Sequence, residues 1–465
     1  MKSVYTKSVR TLKTANGDFR GVKAKSVGDT VDDTCNSITG HSKFIFFGCW
    51  NNINCKKDYV YRDIVLDYIR DNETEIKQLY IAGDNWYPNI RANFKVYLTD
   101  ILTTGYAKLY AMNKEVYIAV GNHDEDKSDD ANILKKDCNI NTQKYYLQQI
   151  KNKVLREDTP PTLELLHFLA SRNELADNYL CKNGVYIYVD NIGVCYNKGN
   201  IIIIINTNRF DDDDTGEKYI RSINAVIRRV NRNKGNEQIF VMGHVPLFSY
   251  KKDDIKLHKI NKKDKKFDKF IFKLYNIFAT HNIIYICADT HNFSIMTIQC
   301  EDKVVVQITA GTGGADPDIL TTEHIDLLYS TDVIIDPKKS YHIDAVALNP
   351  YGYVDISTDK DNITVCYTQI IKDIPGKTCR FTYTVSVANK RIVYKGSKEL
   401  STFNIDMVKN TLLKNKICGV NGVNGVSGVN GVSGVNDSTG YITSKDRSIA
   451  CYIKKNNKKT LPSNK

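Results

Sequence analysis

Residues 81–88 read Ile81-Ala82-Gly83-Asp84-Asn85-Trp86-Tyr87-Pro88, and Leu79-Tyr80 before them begin a short apolar run. An apolar run that stops on Gly-Asp-Asn is how a buried parallel strand delivers a carboxylate to the carboxyl-end edge of a sheet. That edge is where α/β proteins place their chemistry. Tyr87 lies close enough to Asp84 to reach the same point in space. Taken alone, Gly-Asp-Asn also makes ordinary turns. Its weight comes from other strand-end loops of the same character.

Upstream, the dense apolar run Lys43–Phe47 stops at Gly48-Cys49-Trp50-Asn51. Between the two runs, Lys57–Arg70 places Val60, Ile64 and Tyr68 on one helical face, with Tyr61, Val65 and Ile69 beside them. Downstream, Arg91–Tyr106 reads as a helix, and Glu115–Val120 as a strand ending Gly121-Asn122-His123-Asp124. The order strand, helix, strand, helix, strand argues for stacked α/β units.

The same grammar continues. Asp137–Leu180 is helical in pattern, broken by Pro160-Pro161, and Gly184–Val189 and Gly199–Ile205 read as strands. The carboxylate run Asp211–Asp214 lacks the spaced oxygen pattern of a calcium loop and leads into a helix over Thr215–Asn231. Glu237–Met242 is a strand ending Gly243-His244-Val245-Pro246. Phe267–Thr280 is a helix, and Ile283–Ala288 is a strand ending Asp289-Thr290-His291. From Phe293 the pattern turns to strands joined by turns: Phe293–Gln299, Val304–Thr309, Ile343–Leu348, Tyr353–Ser357 and Thr364–Ile371. A second sheet, or the second half of a sandwich, is the natural reading.

The 465 residues, 42% of them hydrophobic, suffice for one large domain or two modest ones. The expected division is a mobile arm over 1–40, a main domain over 41–372 and a C-terminal extension over 373–418. A repeat linker over 419–436 and a basic polar tail over 437–465 complete it. Residues 419–436 are Gly-Val-Asn/Ser triplets without proline, which suit a flexible spacer rather than a collagen helix. The formal net charge of +12 is spread out rather than gathered in a stripe interleaved with aromatics, so a nucleic-acid groove is not expected. The polar, basic start has no apolar secretory core, and no apolar run reaches membrane-spanning length. The 12 cysteines form no CxxC pairs and fit reduced thiols. A soluble protein of the cytoplasm is the expectation, with no reading of its oligomeric state.

The strand-end loops together offer Cys49, Asp84, Tyr87, Asn122, His123, His244, Asp289 and His291. Each has an ordinary reading by itself, as turn, core or exposed side chain. Their recurrence at the ends of successive strands is harder to attribute to chance. Oxygen and imidazole donors converging on one edge suit two ions bridged by a carboxylate. Two metals about 3.5–4 Å apart activate a water and clamp both ends of an in-line displacement at phosphorus.

Gly83-Asp84-Asn85-Trp86-Tyr87, Gly121-Asn122-His123-Asp124, Gly243-His244-Val245-Pro246 and the Gly-rich Ala310–Gly314 resemble the calcineurin-like metallophosphoesterases. Within that superfamily the closer likeness is to purple, tartrate-resistant-type acid phosphatases. The resemblance runs from Phe44 to Ile371. It implies an α/β (α+β sandwich) fold of two mixed β-sheets packed face to face and flanked by helices, with a binuclear metal site on the strand-end loops. It implies that Asp84 bridges the metals, that Tyr87 and His291 bind the first, and that Asn122 and His244 bind the second. Asn122 and His123 would contact the phosphate. His123 would assist the leaving oxygen, with Asp124 orienting its ring. The implied cofactors are two metal ions, Fe with Fe, Zn or Mn.

Two metal positions depart from the family pattern. Cys49 stands where an Asp is usual, and Asp289 where the first His of Gly-His-x-His is usual. Asp289 can still ligate through oxygen. Cys49 stays open: a thiolate binds zinc or iron, a reduced thiol can instead sit in the core, and Asn51 could substitute as ligand. The leading expectation is a phosphatase acting on small phosphate monoesters by direct attack of a metal-bound hydroxide. The alternatives are a phosphodiesterase or nuclease of the same superfamily, and a catalytically impaired scaffold that binds or builds. The Lys, Asn, Ile and Tyr richness is similar in composition to metallophosphatases of large DNA viruses of protists. In a viral member, the host cytoplasm or the virion would be the location.

Overall fold

The computed structural model describes residues 31–32, 43–52, 60–85, 87, most of 105–124, 185–188, 192–210, 213–258, most of 266–336, 339–371, 377–393 and 398–402. The expected arm apart from 31–32, the helix over 137–180, nearly all of that over 91–106, the repeat linker and the basic tail lie outside the described residues.

The described elements form the expected pair of mixed sheets with flanking helices. In spatial order the first sheet runs Val31–Asp32, Ile192–Asn197, Asn200–Ile204, Gln238–Met242, Ile284–Cys287, Lys303–Ala310, Phe293–Cys300, Lys339–Leu348 and His324–Asp336. The second runs Ile392–Val393, Lys377–Ser386, Asn362–Ile370, Gly352–Thr358, Lys43–Phe47, Gln78–Ile81, Glu115–Ile118 and Val185–Ile187, with Lys398–Thr402 paired to Lys377–Ser386.

Each sheet has a parallel part. In the first it comprises Asn200–Ile204, Gln238–Met242, Ile284–Cys287 and Lys303–Ala310. In the second it comprises Lys43–Phe47, Gln78–Ile81, Glu115–Ile118 and Val185–Ile187. Parallel neighbours bring their carboxyl ends to one edge, so successive strand-end loops become neighbours in space. Two backbone hydrogen bonds tie the sheets together there: Gly48 N–H to the Ala310 carbonyl (2.8 Å) and Gly313 N–H to the Gly48 carbonyl (3.0 Å).

The apolar run Ile201–Ile205 is explained by burial on both faces. Ile202 and Ile204 point into the sandwich with Phe44, Phe46, Tyr80, Phe240, Ile286 and Ile308. Ile201 and Ile203 point the other way, toward the helices Asp213–Asn233 and Lys266–Thr280. The first helix buries Tyr219, Ile223, Val226, Ile227 and Val230 at helical spacing. Asp213 and Asp214 occupy its first turn, where carboxylates favour the exposed N–H groups. The third described helix, Tyr61–Asn72, stacks Tyr61 on Tyr351 with ring centroids 3.8 Å apart.

Four strands carry no clear period in the sequence and add to the expected set: Ile192–Asn197, the hairpin pair Phe248–Lys251 and Asp254–Leu257, and His324–Asp336. The second sheet also continues past Lys372 through Lys377–Ser386 and its partners. Among the described residues, no helix is long and apolar enough to cross a membrane.

Phe240 is fully buried between the sheets, edge-on to Phe44 at 5.3 Å. Phe240→Ala is expected to destabilise the fold by about 3–5 kcal/mol, through lost transfer energy and a residual cavity. Urea unfolding of the two proteins reads the difference.

Candidate metal centre

The edge is built by tight turns directly after the strands. Cys49 (φ 53°), Asp84 (φ 54°) and Asp289 (φ 55°) all adopt the left-handed backbone that non-glycine residues seldom take. Each is a candidate ligand, and in each the turn aims the side chain at the meeting point of the sheets. Close approach dictates two glycines. A Cβ on Gly83 would come within 2.7 Å of His244 Nδ1, and one on Gly121 within 2.2 Å of Asp84 Oδ1. Residues with side chains at these positions would force the loops apart.

Asp84 lies at the centre and is 1% exposed. Its two oxygens face different companions. Oδ2 accepts the Tyr87 hydroxyl at 2.8 Å and lies 3.9 Å from Cys49 Sγ. Oδ1 lies 3.2 Å from His244 Nε2 and accepts the backbone N–H of His123 at 3.2 Å. Tyr87 also reaches His291 Nε2 at 3.2 Å. Two donor sets result: Cys49, Asp84, Tyr87 and His291 on one side, and Asp84, Asn122, His244 and Asp289 on the other. The acidic, thiol and imidazole members of each set lie within 4.8 Å of one another.

The second set has the spacing of a cation's coordination shell. His244 Nε2 is 3.0 Å from Asn122 Oδ1, 3.2 Å from Asp84 Oδ1 and 3.3 Å from Asp289 Oδ1. An ion with ligands at about 2.0–2.2 Å holds neighbouring donor atoms roughly 3.0–3.5 Å apart. Turning the Asn122 amide would bring its NH2 within hydrogen-bond distance of Asp84 Oδ1, Asp289 Oδ1 and His244 Nε2, of which its two N–H groups could serve two. With the oxygen inward instead, four lone-pair atoms converge, an arrangement that repels itself until a cation occupies the centre. The residues present therefore fit a metal ion.

Both histidines are oriented for the same purpose. His244 Nδ1–H donates to the Ala82 carbonyl at 2.6 Å, and His291 Nδ1–H donates to the Asp316 carbonyl. Each leaves the Nε2 lone pair turned into the site, as ligating histidines require. Without an ion, charge is shared among the side chains. Burial would raise the Asp84 carboxyl, but the imidazoles of His244 and His123 hold it down at about 2. Burial alone would lower His244; Asp84 and Asp289 push it well up instead. Burial, reinforced by the same two carboxylates, pushes the Cys49 thiol well up. An ion would displace these protons.

Burial sorts the site into floor and rim. Cys49, Asp84 and His244 form the buried floor, while Asn122, His123, Asp289 and His291 are partly exposed. The His123 ring leans on Tyr87, centroids 4.8 Å apart. Asp124 clamps the loops beneath it. Its carboxylate accepts the Gly121 N–H at 2.8 Å, the Asn85 N–H at 3.1 Å and the Asn85 side-chain amide at 2.9 Å. Asn51 is engaged elsewhere: its oxygen accepts from Arg62 at 2.8 Å and its amide donates to the Asn85 carbonyl at 3.0 Å. Cys49, Asp84, Tyr87, Asn122, His123, His244, Asp289 and His291 come together from the strand-end loops on which the sequence places them.

Sequence reasoning missed one group. His258, 3% exposed, places Nε2 at 2.8 Å from Asp289 Oδ2 and is contacted through Nδ1 by Ser249. It follows the hairpin that the sequence did not reveal. The pairing signal was the alternation of Phe248 and Tyr250 with Ile255 and Leu257, but the turn hides it. Lys252 and Asp253 take φ of 53° and 57°, values for which Asn-Gly is the usual sequence.

The model of the calcineurin-like phosphoesterase family matches residues 42–293, and the chain belongs to that family. Every candidate ligand lies within the matched span. The family's domains typically bind two metal ions, and this chain has two donor groups suited to them. Comparison with curated proteins finds no match. One solved structure aligns over 78% of this chain and 99% of its own at 8% identity, with a TM-score of 0.29.

Because both donor sets share Asp84, Asp84→Asn is expected to lose both ions, whereas His244→Asn loses one. Equilibrium dialysis followed by elemental analysis reads the stoichiometry, and two ions retained by the Asp84 variant would contradict the shared carboxylate.

Proposed function

We propose that the chain is a metallophosphatase that hydrolyses small phosphate monoesters at a binuclear centre. The observation that carries the reading is the division of the Asp84 oxygens between two donor sets. Cys49, Asp84, Tyr87 and His291 would hold one ion, and Asp84, Asn122, His244 and Asp289 the other. Iron paired with iron, zinc or manganese follows from the likeness to purple acid phosphatases. When bound, such a pair activates water and offsets charge at phosphorus.

The chain's own residues supply the rest. Asn122 and His123 sit on the rim, where a phosphate would meet them. His123 would hold a proton for the departing oxygen, which leaves as an alkoxide unless it is protonated. Tyr87 supports that ring from beneath. Asp124 fixes the loop carrying Asn122 and His123 through the backbone N–H groups it binds. A phosphate monoester is dianionic, and the carboxylates of Asp84 and Asp289 would repel it without cations between them.

Two departures favour a second reading, a scaffold with impaired chemistry. Cys49 offers a protonated thiol rather than a carboxylate, and Asp289 replaces an imidazole.

Hydrolysis of para-nitrophenyl phosphate and of its bis-ester, by protein loaded in turn with iron, zinc and manganese, separates the readings. Monoester turnover is expected, abolished by Asp84→Asn and reduced in kcat about 10²–10⁴-fold by His123→Ala. Turnover of the diester alone would make the protein a phosphodiesterase. Silence from folded, metal-loaded protein would favour the scaffold.

A further inference from the structure

Asp289 has a buried side chain behind it. Its Oδ1 faces His244 at 3.3 Å, in the second donor set. Its Oδ2 faces away, to His258 Nε2 at 2.8 Å. His258 is buried, and its Nε2 has no well-aligned hydrogen bond although it stands against the carboxylate. On the far side of the ring, Nδ1 meets the Ser249 hydroxyl.

The hairpin fixes these two residues independently of the site. Ser249 pairs with Lys256, Phe248 pairs with Leu257, and the His258 N–H donates to the Leu247 carbonyl at 3.1 Å. The fully buried Gln307 then locks the hairpin to the first sheet. Its side-chain oxygen accepts the N–H groups of Leu247 (2.7 Å) and Phe248 (3.2 Å), and its amide donates to the Phe248 carbonyl at 2.7 Å. Asn292 adds a bond to the Tyr250 carbonyl at 2.7 Å. His258 is thus carried on a rigid support, not on a free loop.

We infer that Ser249 and His258 form a positioning relay that lets a carboxylate serve where an imidazole is usual, by holding Asp289 Oδ2 and presenting Oδ1 to the second ion. The inference rests on the binuclear reading. Ser249 donates its hydroxyl to His258 Nδ1, which sets the ring as the Nε2–H tautomer and turns that N–H toward Asp289 Oδ2, 2.8 Å away. A carboxylate has two oxygens and free rotation, so a single ligating oxygen needs its twin restrained. The imidazole also draws charge from a centre that already holds Asp84. His258 acts through Asp289 rather than as a ligand: among the described residues, the close donor group is Asp84, His244 and Asp289, and His258 stands outside it.

The test uses the full-length chain and Mn²⁺ alone, followed by titration calorimetry. Wild-type protein is expected to bind two equivalents. His258→Ala should weaken one of them about 10–100-fold and leave the other unchanged. His258→Gln, whose amide can still donate to Oδ2, should recover part of the loss. In an Asp289→His background, His258→Ala should cost nothing further, since the carboxylate it restrains is gone. Affinities for both equivalents within twofold of wild type in His258→Ala would overturn the inference, as would an equal loss in both backgrounds. Fewer than two ions on the wild-type protein would count against the binuclear reading instead. In that event the imidazole ¹⁵N spectrum of the metal-free chain still decides the relay: an Nδ1–H tautomer at His258 would refute it, and an Nε2–H proton that shifts on Asp289→Asn would support it.

Discussion

The arrangement depends on one buried carboxylate. Asp84 is almost wholly removed from water, and burial of an anion is costly unless its oxygens are satisfied. Here each oxygen is satisfied by a different group of side chains, so Asp84 holds two sets of donors in a common frame. The rest of the edge serves that position. Gly83 and Gly121 make room for it, the left-handed turn at residue 84 aims it, and the parallel strands on either side bring its partners into reach.

A second constraint lies beneath the first. Side chains from three strand ends are fastened to one another by hydrogen bonds that no ligand role requires. Asn85 accepts the Trp50 indole N–H at 2.9 Å and donates to the Ala119 carbonyl and to Asp124. Asn51 links that cluster to the buried Arg62. Each buried polar group in this layer is paired, which makes the layer stiff and the loop positions specific. A rigid underlayer lets strained turns persist above it.

Much of this was legible in the sequence because parallel strands announce themselves twice, once as an apolar run and again as an abrupt glycine. Leu79–Ala82 before Gly83 and Glu115–Val120 before Gly121 carry both signals. What escaped was structure whose signal depends on tertiary partners. Ile192–Asn197 mixes Gly, Cys and Asn, and becomes a strand because Asn200–Ile204 lies antiparallel to it. His324–Asp336 alternates poorly and owes its extension to Lys339–Leu348. The hairpin ahead of His258 turns on Lys252-Asp253, a pair without local preference for that turn. Position along the chain named the loops of the site; it could not name a histidine delivered from beside them. Nor does spacing reveal that Asp124 binds backbone N–H groups of two loops, since that role exists only once the loops are adjacent.

The two departures from the family pattern compensate in charge. Replacing an Asp by Cys49 removes a negative charge from the first donor set, counted with the thiol neutral. Replacing a His by Asp289 adds one to the second. The total over both sets is unchanged, while its distribution moves by one unit across the Asp84 bridge. Residues 49 and 289 both adopt left-handed turns that aim them inward. For Cys49 that conformation costs about 1–2 kcal/mol, more than for Asp, whose short polar side chain tolerates it. Strain at a buried cysteine is hard to explain by packing alone, because a buried thiol could be housed in an unstrained strand. It is explained if the turn is required by what the first set faces. With Cys49 and Asp289 as ligands, the first set would be softened by sulfur and the second hardened by oxygen, so the two halves of the site would differ in the ions they suit more than the family's usual residues would make them.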